Sequence, residues 1–140
     1  MEETREKIVS SFYEEYMEDD RLFRTVHGRL EYATTMNYIH RYAQKGSKVL
    51  EVGAGTGTYS RALAAEGMDV TAVVLVQKNL DVLQEKSKGL ETLESYQGDA
   101  TDLSRFEDNS FDATLVLGPM YHLYEKEDVH KAIDEAIRVT

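Results

Sequence analysis

The densest run of chemistry-bearing residues is Glu51-Val52-Gly53-Ala54-Gly55-Thr56-Gly57. Glycines at this spacing open backbone angles closed to other residues and let the main chain approach a ligand closely. The run lies between a short β-branched stretch, Lys48–Val52, and a helical pattern that begins near Thr58. A helix N-terminus there would offer N–H groups to a negative group. Two other places carry groups of similar use: Gly98-Asp99-Ala100 and Gly118-Pro119-Met120-Tyr121-His122, each after a strand-like stretch. Asp99 supplies a carboxylate acceptor or, more simply, an Asx-turn. His122 titrates near neutral pH and is a candidate general base with Tyr121 beside it, or else a packing residue next to Pro119. His27, His40 and His130 have no metal-ligand spacing with one another or with carboxylates and read as surface or packing residues, so no metal is expected.

The spacing of the glycines discriminates between ligands. A dinucleotide turn reads G-x-G-x-x-G or -A; Gly53 and Gly55 fit its first two places, but Thr58 stands at the third. A phosphate loop ends in Gly-Lys-Ser/Thr, whereas Gly57 is followed by Thr58-Tyr59. ATP and GTP are poor candidates.

The run from Glu51 to Gly57 resembles motif I of the class I S-adenosylmethionine-dependent methyltransferases. Gly98-Asp99-Ala100 is similar to that family's adenine-contacting turn, and Leu115 to Leu123 to its motif IV region. The helix ending Ala136-Ile137-Arg138-Val139 is similar to the one before its fifth strand, and the N-terminal helices to the cap of its small-molecule members. The resemblance implies S-adenosylmethionine as cofactor, S-adenosylhomocysteine as product and a small-molecule methyl acceptor. It implies that Glu51 holds the methionine amino group and that Gly53, Ala54, Gly55 and Gly57 line the amino-acid and ribose side. Asp99 would accept from the adenine amino group, with Gly98 in the same turn and Ala100 offering a backbone N–H. Leu117 and Gly118 would present carbonyls near the methionine moiety, and Tyr13 or Tyr16 would close the lid. Methyl transfer from a sulfonium is an in-line displacement, so positioning supplies much of the catalysis and no covalent nucleophile is required.

Two features depart from the family. Its members place an acid at the end of the second strand to hold the ribose hydroxyls; here Val74, followed by Leu75, takes that place on the ribose side. Losing charge-assisted hydrogen bonds of about 1.5–3 kcal/mol each predicts weaker cofactor binding by one to a few orders of magnitude. Gln77 and Asn79, in the next turn, are the nearest possible substitutes. The second departure is length. The family sheet runs 3-2-1-4-5-7-6, and this chain supplies strands one to four and a helix, which leaves strand four as an apolar edge. Such an edge invites association, so a homodimer or higher oligomer through strand four is expected. A truncated, weakly active or inactive self-associating module is the alternative reading. An NAD-dependent oxidoreductase fits less well because of Thr58 and Val74. Amino-methylating nucleic-acid enzymes carry Asn/Asp-Pro-Pro-Tyr where this chain has Gly118-Pro119-Met120-Tyr121.

The elements that must position these residues follow from periodicity. Ile8, Phe12 and Tyr16 form one helical stripe, and a second helix runs from about Arg29 to Ala43, closed by Gly46. From Ser47 the pattern alternates. Strands at Lys48–Val52, Asp69–Val76, Leu93–Gln97 and Phe111–Leu117 are separated by helices at about Thr58–Glu66 and Gln77–Lys88. A final amphipathic helix covers Lys126–Val139. Alternation of this kind predicts an α/β fold, a partial, Rossmann-like doubly wound parallel sheet in the order 3-2-1-4 with N-terminal cap helices. Residues 1–46 would form the cap and 47–140 the core, one structural domain overall.

Composition narrows the partners. Sixteen Lys and Arg against 26 Asp and Glu give a net charge of −10, and 12 of the acids lie in residues 91–140. Nucleic-acid backbones and anionic membranes repel such a chain. No apolar run reaches the roughly 18 residues of a membrane span, and the charged N-terminus lacks a signal-peptide core. Cysteine is absent. A cytoplasmic location is expected.

Overall fold

Strands β1 (Lys48–Val52) and β2 (Asp69–Val74) are apolar along most of their length because both their faces are covered. With β3 (Leu93–Gln97) and β4 (Ala113–Val116) they form one sheet in the order β3-β2-β1-β4. Every pairing is parallel; Val49 and Val52 stand opposite Val70 and Val73 of β2, and Val52 also stands opposite Val116 of β4. The computed structural model describes residues 4, 5, 7, 8 and 21–140. The stripe residues Phe12 and Tyr16, and the lid candidate Tyr13, lie outside the described residues; Ile8 is helical and exposed.

The helices are α1 (Arg21–Arg24), α2 (Val26–Ile39), α3 (Thr58–Ala65), α4 (Gln77–Lys86) and α5 (Lys126–Val139), with a 3-10 turn at Pro119–His122. The alternating pleat sorts them onto two faces. Val49 and Val70 pack with Leu22, Met36 and Ile39 of α1 and α2 and with Leu63 of α3. Ala72 and Val74 on the same face meet Leu80 and Leu83 of α4. Leu50, Val52 and Val73 point the other way, onto Ala132 and Val139 of α5 and onto Ala100 and Leu103. That second face is covered partly by irregular chain, residues 99–112. Arg138 fastens it: its guanidinium donates to the carbonyls of Leu103 and Phe106 at 3.0 and 2.9 Å and to Asp108 at 2.8 Å. Glu135 completes the fastening by accepting from the Leu103 N–H at 2.6 Å.

The sheet and its order agree with the expectation; several boundaries do not. β2 ends at Val74, since Leu75 and Val76 bend into α4. β4 is shorter than expected, because Phe111 turns to pack edge-on against Phe106 while the Asp112 N–H bonds Lys48 at 2.8 Å. α2 starts earlier than Arg29: Thr25 caps it by accepting from the Gly28 N–H at 3.0 Å. It stops at Ile39, and Gly46 belongs to a later turn that bonds Gly67 rather than capping the helix. α2 buries Gly28, Met36, Ile39 and part of Tyr32, while Leu30 and, past its end, Tyr42 are exposed.

Candidate functional site

In an open parallel sheet, ligands bind outside the carboxyl ends of the strands where the strand order reverses. Here that point lies between β1 and β4, and a cleft of about 580 Å³ opens there. Its volume is in the range of small-molecule sites. Of the residues singled out by the sequence, the cleft gathers Glu51, Gly53, Ala54, Gly55, Val74, Leu75, Gly98, Asp99, Ala100, Leu117, Gly118, Tyr121 and His122. Gly57 stands behind it, at the start of α3.

The glycine turn is built by anchoring rather than by slack. The N–H groups of Gly53 and Ala54 both bond the Val73 carbonyl, at 2.8 and 3.1 Å, so the turn is pinned to the end of β2. Gly53 has φ 72°, and a Cβ there would overlap the ring of Pro119. The close approach joins the β1 turn to the β4 turn. Gly57, at φ 80°, begins α3 without a side-chain cap, and a Cβ on it would stand 2.7 Å from Leu83.

Glu51 lies against the first turn of α3. Its carboxylate accepts from the Ser60 hydroxyl there. This end of the cleft therefore presents an acid. Glu51 is only 3 % exposed. Burial pushes its carboxyl up to about 7, against the opposing pull of the Ser60 hydroxyl.

Asp99 marks the other end. One carboxylate oxygen accepts from the Thr101 N–H and hydroxyl, at 3.0 and 3.1 Å, which is an Asx-turn. The other pairs with Arg5 across 94 residues of sequence. Val74, 2 % exposed, forms the apolar wall between the two acids. Asn79 reaches the cleft beside it, whereas Gln77 turns away to Asp81 at 2.7 Å. On the β4 side, desolvation and then the charge of Arg5 hold His122 below the ordinary imidazole range. Tyr121 lies at the mouth and is 83 % exposed. Among the described residues no cluster of His, Asp and Glu is arranged to hold a metal ion.

The methyltransferase domain family matches residues 50–140. The chain belongs to that family. This methyltransferase-domain chain is 38 % identical over 94 residues to a demethylmenaquinone methyltransferase of Clavibacter sepedonicus, a match covering 67 % of this chain and 37 % of that protein. A demethylmenaquinone methyltransferase of Staphylococcus aureus is 40 % identical over 77 residues, covering 52 % of this chain and 31 % of that one. Among solved structures, a Pyrococcus horikoshii protein aligns with a TM-score of 0.76 at 26 % identity, over 92 % of this chain and 60 % of its own. A Methanosarcina mazei S-adenosylmethionine-dependent methyltransferase aligns with a TM-score of 0.66 at 27 % identity, over 73 % and 51 %. The chain thus spans little more than a third of the first of these curated relatives.

The methyltransferase domain also recruits residues that the sequence did not flag. Arg21 and Leu22 of α1, Glu31 and Thr35 of α2 and Tyr59 of α3 line the same cleft, as does Arg5. Arg21 and Glu31 pair at 3.3 Å. Tyr59 stacks on Tyr32 with centroids 5.4 Å apart. Ser60 lies behind Glu51. For Tyr59 and Ser60 a signal existed, since both stand in the first turn after the glycine loop. For Arg5, Arg21, Glu31 and Thr35 none did, because only tertiary folding brings them to the strand ends.

Proposed function

We propose that this cleft binds S-adenosylmethionine and that the chain transfers the methyl group to a small-molecule acceptor, leaving S-adenosylhomocysteine. Glu51 carries the reading. A buried carboxylate at the end of β1, beside a pinned glycine turn, calls for a cationic ligand group, and an ammonium meets that need where a phosphate would be repelled. The residues fit the cofactor in other respects. Asp99 stands at the opposite end to accept from an adenine amino group, with Gly98 and Ala100 in its turn. Gly53, Ala54 and Gly55 leave room for close approach, and Leu117 and Gly118 close the β4 side. Val74 and Leu75 face the ribose position, and Asn79 is the side chain placed to replace the missing acid.

Once bound, S-adenosylmethionine supplies an electrophilic methyl on a positively charged sulfur. The chain's part is to hold the reacting groups in line and to exclude water. His122, held neutral by burial and by Arg5, is placed to take a proton from the acceptor; Tyr121 is placed to orient it at the mouth. Residues 1–46 act as a cap over the core of residues 47–140, and in its described part Arg21, Glu31 and Thr35 face the acceptor side.

Two further parts of the reading concern surroundings. β4 has no strand on its outer side among the described residues, and an apolar groove of Val116, Met120, Ile133 and Ile137 runs beside it. Ile137 is 69 % exposed. Two copies are expected to meet there as a homodimer. No described helix is long and apolar enough to cross a membrane, and with the net charge of −10 the chain is assigned to the cytoplasm.

Calorimetry with S-adenosylmethionine, S-adenosylhomocysteine and NAD tests the central assignment. Heat is expected with the first two and not with NAD. Binding of NAD alone, or of none of the three by folded protein, would overturn it.

A further inference from the structure

The side chain of Ser60 is completely buried, one turn into α3, and its hydroxyl donates to the Glu51 carboxylate. Nothing in the packing asks for a hydroxyl at this place. Its neighbours Leu63 and Ala64 are apolar core, and alanine is a better helix former than serine. Among the described residues Ser60 is the only side chain that hydrogen-bonds Glu51.

We propose that Ser60 is a positioning residue for the cationic end of the ligand: it fixes the Glu51 carboxylate and keeps it available as an anion. This deepens the S-adenosylmethionine reading and rests on it. The physical reason is that a carboxylate this deeply buried loses its charge unless donors compensate it. Burial has already raised Glu51 to about 7, and the Ser60 hydroxyl, donating to the carboxylate, opposes a further rise. The other ionisable groups lining the cleft do not substitute. From α1 and α2, Arg21 and Glu31 pair with each other. Arg5 pairs with Asp99, and His122 is held neutral on the β4 side. Tyr121 points to the mouth, and Tyr59, the residue before Ser60, carries no charge at neutral pH and has its own hydroxyl raised. β2 and β4 place Ala72 and Leu115 opposite Glu51 in register and add no charge.

Ser60→Ala leaves volume and helix intact, so the folded protein can be measured. Carbon-13 NMR of the Glu51 carboxyl in the ligand-free protein should show its titration moving up by about one to two pH units, the worth of a hydrogen bond to a charged group. S-adenosylhomocysteine affinity, measured by calorimetry, should fall about 5- to 50-fold relative to wild type at pH 7. At pH 9 the ratio should close to within about threefold, because both carboxyls are then largely ionised. In a Glu51→Gln background, Ser60→Ala should leave no pH-dependent difference. A structural role alone would weaken binding equally at every pH, and that result, or an unmoved Glu51 titration, would overturn the proposal. A shifted titration with no binding of S-adenosylhomocysteine to either protein would overturn the cofactor reading, and the role of Ser60 with it.

Discussion

The two ends of the cleft are both acidic, yet they are built on opposite principles. Glu51 is buried, accepts from a neutral hydroxyl, and is pushed toward its uncharged form. Asp99 is part-exposed, belongs to a surface turn, and already has a cation in Arg5. Among the described residues the first acid has no counter-charge, whereas the second has Arg5. A cationic ligand group therefore gains most at Glu51, while a neutral donor suffices at Asp99, where it meets Arg5 first. Burial makes the ionised Glu51 carboxylate costly to stability, a cost that a bound cationic group would offset.

The sharpest way to break this contrast is Glu51→Gln. Affinity for S-adenosylhomocysteine should fall about 10- to 100-fold by calorimetry, the worth of one charged hydrogen bond. The same variant should be more stable without ligand. Glu51 titrates at about 7 in the folded chain against 4.5 as a free side chain. The folded state thus binds the extra proton between these values. The penalty is absent below pH 4.5, grows as pH rises through the interval, and is complete above pH 7. Denaturation at pH 8 should therefore show Glu51→Gln more stable by about 3 kcal/mol, with the gain vanishing near pH 4. An equal gain at both pH values would remove the electrostatic explanation.

Between the two acids, Val74→Glu should restore a ribose acceptor and tighten S-adenosylhomocysteine about tenfold. Because Val74 packs against Ala54, Leu80 and Leu83, the ligand-free variant should also melt at a lower temperature. Unchanged affinity in a folded variant would place the ribose elsewhere. The smallest effect is expected at the Asp99 end. Asp99→Asn keeps an acceptor oxygen and loses the pairing with Arg5, so affinity should change by only about 2- to 5-fold. A loss there as large as that at Glu51 would reverse the ranking of the two ends.

Much of this contrast was legible in the sequence, and the reasons are local. The order of strands follows from nearly continuous apolar runs such as Asp69–Val76 and from the glycines that punctuate them. Glu51, Asp99 and Val74 stand at strand ends, so their arrival at one edge of the sheet follows once the sheet is parallel. What escaped depends on contacts distant in sequence. Arg5 meets Asp99, Arg138 ties down residues 103–108, and Arg21 and Glu31 reach the cleft only because α1 and α2 lie on the sheet. That Glu51 meets the Ser60 hydroxyl in the first turn of α3 was likewise not legible, because it depends on how β1 and α3 pack.

The central claim is that Glu51 must be ionised to receive the ligand. Calorimetry of S-adenosylhomocysteine binding from pH 6 to pH 8 tests it most directly. With Glu51 titrating at about 7, affinity should rise about tenfold across this range, binding at pH 7 should release protons to the buffer, and Glu51→Gln should flatten the profile. A profile that is flat in the wild type, or unchanged by Glu51→Gln, would contradict the account.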